Sequence, residues 1–185
     1  MALGWLEVVM DEYRSLREES LRSMQLQQAV LRYGLAATGA LIAVAFGIWG
    51  VVLLASVALL LFVPAVSYLS LIIWIGEVAR MMRAGWYLKA LEERVCQQFP
   101  DRPPPLGWEN YLRTVSGHAG TPQLFWNYAA IIGLFLLLSM LAAAMGVVRL
   151  AGALPSAALI GISVLEFVVL VVVTLYVLST GRRFR

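Results

Sequence analysis

From Tyr33 to Gly76 the chain runs for 44 residues without one charged side chain. As a single helix that stretch would be about 66 Å long, roughly twice the hydrocarbon thickness of a bilayer. Two helices must therefore share it. The reversal is expected around Gly47, Ile48, Trp49 and Gly50, where two glycines loosen the helix and a tryptophan suits a membrane surface. This places a first span at 33–50 and a second at 51–76, with Pro64 expected to kink the second. Two more apolar stretches follow, at 124–148 and 156–180, separated by a turn through Arg149, Gly152 and Pro155. Phe125, Trp126 and Tyr128 open the third span, as an aromatic belt does. Composition agrees with spans of this kind, since 61% hydrophobic residues against 14% charged is far from a soluble domain of 185 residues. The expected fold is all-α: a single polytopic membrane domain with four transmembrane helices and additional cytoplasmic helices in segments 1–32 and 77–123.

Orientation follows from the basic residues. Four Lys or Arg precede the first span, six lie between the second and third, and three follow the fourth, whereas the two opposite loops hold only Arg149. The positive-inside bias then puts both termini, the tail 181–185 and the middle loop in the cytoplasm of a cell whose inner membrane the chain crosses. Acids Glu7, Asp11 and Glu12 occupy the place of a leader's basic and apolar regions, so the first span is expected to act as the insertion signal. Segment 7–32 reads as a charged helix, with Glu18 and Arg22 four residues apart and Leu16, Met24 and Leu31 near one face. A helical part is expected over 77–99, ended by Pro100, Pro103, Pro104 and Pro105.

Little here points to catalysis. The one histidine, His118, sits in a glycine-flanked loop, and no nucleophile, base and orienting group form a set. Neither a phosphate-binding loop nor metal-ligand spacing is present, so no cofactor and no metal are expected, and the net charge of +3 lies beside spans rather than in a nucleic-acid motif. The single cysteine, Cys96, falls in a segment assigned to the cytoplasm and has no partner for an intrachain disulfide.

Glu166 is the exception, ten residues into the fourth span and so about 15 Å deep, near the bilayer midplane. It reads either as a group facing a pore or cavity that meets a cation or proton, or as a protonated or hydrogen-bonded carboxyl joining helices. Arg149 is expected to snorkel to the outer headgroups, with a deep pairing to Glu166 as the alternative. Gly39, Ala43 and Gly47 recur every four residues, and Ala129 with Gly133 and Ala142 with Gly146 repeat the spacing, as in closely packed helix pairs within or between subunits. Arg80, Arg83, Trp86, Tyr87 and Trp108 are candidates for a sensor or assembly surface toward a cytoplasmic protein or a small anionic ligand. The alternative for each is a topological or interfacial role.

The blocks Glu77-Val78-Ala79-Arg80-Met81-Met82-Arg83-Ala84-Gly85-Trp86-Tyr87-Leu88, Leu106-Gly107-Trp108-Glu109 and Glu12-Tyr13-Arg14-Ser15-Leu16-Arg17 resemble an uncharacterised family of small bacterial integral membrane proteins. The layout is also similar to multi-helix membrane effectors of bacterial anti-phage systems, such as the SMODS-and-SLOG-associating two-helix and SMODS-associated four-helix groups. That resemblance implies homo-oligomeric pores acting in defence. Three functions stay open at this point: a homo-oligomeric channel or pore, a non-conducting adaptor that recruits a cytoplasmic partner, and a small secondary transporter.

Overall fold

A computed structural model describes residues 2–98 and 121–182. Four helices account for almost all of them: α1, Ala2–Gly47; α2, Val52–Gln98; α3, Thr121–Leu150; and α4, Ser156–Arg182. Each is long and apolar enough to cross a membrane, and among the described residues there is no strand. The protein is an all-α membrane protein.

One sequence expectation changes in detail. Segment 2–32 and the first span form one unbroken helix, because nothing between Arg32 and Gly34 breaks a helix. Pro64, where the sequence suggests a kink, lies two residues past the end of a π turn at Ala58–Phe62. Proline lacks the N–H that would bond to the carbonyl of Leu60, and its ring crowds that carbonyl, so a locally widened turn accommodates it within a continuous helix. The Pro-rich stretch 100–105 lies outside the described residues.

The chain divides into two compact units. The first comprises Met1–Gln27 with Gly76–Tyr128, and the second comprises Gln28–Ile75 with Ala129–Arg185.

In the first unit α1 and α2 run antiparallel. Val9 packs with Leu91 and Val95, Tyr13 donates to Glu92 Oε1 at 3.3 Å, and Gln27 reaches Met81 Sδ at 3.8 Å. The face of α1 turned inward is Val9, Tyr13, Leu16, Ser20, Ser23 and Gln27, alternating steps of four and three as in a coiled-coil seam. Met24, expected on the apolar face with Leu16, is exposed instead. Small serines at 20 and 23 let the helices approach, and a seam of that period leaves Met24 outside it.

In the second unit α1 and α2 are paired from Gly34, beside Ser70, to Ala45, which shares a core cluster with Ala58, Leu59 and Val63. The turn between the helices is tight: Trp49 N–H bonds to Phe46 O at 3.2 Å and Val51 N–H to Ile48 O at 2.9 Å. α3 joins the cluster through Ala142, with Phe135 fully buried. Burial identifies α2 as the central helix and α4 as the peripheral one, since 44% of the most apolar window of α2 is buried against 6% for α4. Pro155 precedes α4, and its carbonyl accepts from Ala158 N–H at 3.0 Å.

Candidate functional site

α4 is apolar on nearly every side, so burial rather than periodicity shows which face meets the protein. Ile162, Glu166, Leu170, Val173 and Val177 recur at steps of three and four and are all buried or half-buried, while Val164, Leu165, Phe167 and Val168 are exposed. Glu166 therefore lies on the packed face of α4, not on the face open to lipid. Its neighbour in charge terms is Tyr68 of α2, a buried phenol that Ser139 of α3 also approaches. Ser139, fully buried, donates to the Phe135 carbonyl at 2.9 Å. Next to Tyr68 in the chain, buried Ser67 shares a hydrogen bond of 3.4 Å with Thr38 of α1. Tyr68 of α2 is thus the polar group nearest the carboxyl in charge terms, and α1 meets the same stretch of α2. Hydroxyls in an apolar segment are costly to bury unless they are paired, and the Thr38–Ser67 pair is made between helices.

Arg149 does not pair with Glu166 but reaches the α1–α2 turn. Its Nη2 donates to the Trp49 carbonyl, and the guanidinium lies over the Trp49 ring, 3.8 Å from the centroid. Trp49 in turn stacks on Phe46, with ring centroids 5.1 Å apart. A planar cation on an indole face gains by electrostatics, and the last turn of α3 also favours a positive charge. The side chain thereby ties the α1–α2 turn to the end of α3.

The small-residue spacings differ in whether they meet the protein's own helices. Nothing lies within 4 Å of the place where a Cβ on Gly39, Gly47 or Gly133 would stand, and Ala43 is exposed. These residues face away from the protein's own helices. Close approach occurs at Gly146 of the Ala142–Gly146 pair, where a Cβ would come 2.5 Å from Leu60 Cγ, and at Gly34, outside the four-residue spacings, where one would come 2.6 Å from Ser70 Oγ.

On the first unit, Arg80, Arg83, Trp86 and Tyr87 all lie on the exposed side of α2. Arg80 is 3.4 Å from Glu77 Oε1, and Tyr87 donates to Glu12 Oε1 of α1 at 2.7 Å. Trp108 lies outside the described residues. No group of three or more metal-ligating side chains occurs among the described residues.

The hydrogen bond to Glu12, and then that carboxylate's charge, hold the Tyr87 phenol above the ordinary tyrosine range, with Arg94 opposing in part. A raised folded value means that this link contributes stability below the ordinary tyrosine value near 10 and loses it as pH rises through the higher folded value. Ultraviolet titration of wild type minus Tyr87→Phe is expected to give a phenolate midpoint above that of free tyrosine. Glu12→Gln should move it down, and an unmoved midpoint would remove Glu12 as the cause.

Sequence reasoning found Glu166 by its charge but missed Tyr68, Ser139 and Trp49 as partners. The available signal was the cluster Ser67, Tyr68 and Ser70, polar groups grouped in an otherwise apolar span. No family model, curated protein or solved structure matches this chain.

Proposed function

We propose that the chain is a homo-oligomeric channel of the bacterial inner membrane, with both termini cytoplasmic, in which Glu166 is the point where a passing cation or proton is held. The observation that carries this reading is the carboxyl's place on the packed face of α4, about 15 Å into the span and near enough to the buried Tyr68 of α2 to act on it electrostatically. Ionisable groups at such depth are expensive and mark ion or proton pathways when they face protein rather than lipid. The open faces of α1 at Gly39, Ala43 and Gly47, and of α4 at Phe167 and Val168, leave room for neighbouring copies.

The test is flux. Full-length protein in liposomes is expected to dissipate a cation or proton gradient, and Glu166→Gln to slow this at least about tenfold, equivalent to about 1.4 kcal/mol at the limiting step, with oligomer size unchanged. Flux no greater than in empty vesicles, from protein of native oligomeric size, contradicts the channel.

A second reading, a non-conducting adaptor, is favoured by a different observation: half-exposed Trp86 beside Arg83 on the first unit. Large aromatics and arginine are the residues that dominate protein contacts. Its mark is a heteromeric complex lost in Trp86→Ala with no conductance in either protein.

A further inference from the structure

We propose that Arg80 and Arg83 form a binding site for the phosphate of an anionic phospholipid in the leaflet nearest the first unit. α2 continues without a break past Gly76, the end of the uncharged stretch. Arg80 and Arg83 follow it by four and seven residues, so their Cα atoms stand about 6 and 10 Å further along the helix axis. The polar headgroup layer is about 5–7 Å thick.

Helix direction then decides where the side chains reach. Every Cα–Cβ bond in a helix tilts toward its N-terminus, and the N-terminal part of α2 is the apolar, membrane-crossing part. Both arginines are thereby inclined back toward the headgroups, and their long stems cover the remaining distance. α1 runs the opposite way, so Arg22, also exposed on the first unit, is inclined away from its own apolar segment.

The charges are also available. Among the described residues Arg83 has no ion-pair partner, and Arg80 has only a 3.4 Å contact to Glu77 with its side chain about half exposed. Their spacing of three places them on neighbouring positions of one helix face. Two planar guanidinium groups on one face match a phosphate's oxygens, and an anionic headgroup retains a net negative charge where a zwitterionic one does not. The partner is thus a lipid surface of one sign, and the site is independent of whether Glu166 conducts.

The experiment titrates the detergent-purified full chain with short-chain phosphatidylglycerol and phosphatidylcholine, with bound lipid counted by native mass spectrometry. Wild type is expected to prefer phosphatidylglycerol by about thirtyfold, about fivefold for each arginine. Arg80→Gln with Arg83→Gln should abolish that preference, the corresponding lysine pair should keep most of it, and Arg22→Gln should leave it intact. Circular dichroism on each variant separates loss of the site from loss of the fold, and the lysine pair retains the test if the glutamine pair does not fold. Equal binding of the two lipids, an equal loss in Arg22→Gln, or displacement of the lipid by millimolar inorganic phosphate would overturn the site.

Discussion

Gly146→Ala and Gly34→Ala are expected to destabilise the protein by about 1–3 kcal/mol each, whereas Gly39→Ala and Gly133→Ala are expected to be neutral or to stabilise it by up to about 1 kcal/mol. The four substitutions are chemically identical, so any difference in sign comes from surroundings alone. At Gly146 the new methyl would stand 2.5 Å from the branch carbon of Leu60, which is itself held in the α2 core and cannot swing aside. At Gly34 it would meet both Oγ and Cβ of Ser70, the latter at 2.8 Å. Helix axes must separate at those points, and the buried Thr38–Ser67 and Ala45–Leu59 contacts lie within three turns of one or the other. At Gly39 and Gly133 the methyl enters open space, and alanine lowers the entropy cost of forming a helix. Unfolding titrations in mixed detergent measure the four midpoints. Equal shifts at all four would mean that the close approaches at Gly34 and Gly146 are not made.

Removing the Arg149 guanidinium carries the second large effect. Arg149→Ala gives up a cation–π contact worth about 2 kcal/mol when shielded from water and a charged hydrogen bond worth about 1.5–3 kcal/mol. The net loss is smaller than their sum, because Arg149 Nε is buried without a hydrogen-bond partner and that cost disappears with it. An overall loss of about 2–3 kcal/mol is expected. Lysine restores only part of it, since an ammonium can sit over the ring or donate to the Trp49 carbonyl but lacks the planar reach to do both. The double-mutant cycle with Trp49→Ala should give a coupling of about 1–2 kcal/mol. Additive single effects would mean that the contact between Arg149 and Trp49 is not made.

The membrane class and the helix count were legible because they rest on length against bilayer thickness: 44 uncharged residues do not fit one span, and the structure turns at 48–51. Faces were harder. On α4 almost every position is apolar, so no periodicity distinguishes the side with Ile162 and Glu166 from the side with Phe167, and only packing does. On α1 the inward seam passes through Ser20, Ser23, Gly34 and Thr38, residues too small or too polar to register as a hydrophobic stripe. The four-residue spacing drew notice to Gly39, Gly47 and Gly146 alike, yet a glycine matters where a neighbour's side chain presses on it, and of these three that holds only at Gly146. Arg149 meets a residue 100 positions earlier, a pairing that neither local pattern nor charge matching reveals, since the partner is an indole and a carbonyl.

Everything proposed about Glu166 and the two arginines presumes that the helices alternate across a membrane. Single cysteines at Ser15, Gly50, Gln97 and Gly152, in a chain carrying Cys96→Ser, can be probed in intact cells with a membrane-impermeant maleimide. Positions 50 and 152 are expected to label from outside, and positions 15 and 97 only after the membrane is permeabilised. Labelling of position 15 or 97 in intact cells, or protection of 50 and 152, contradicts the account.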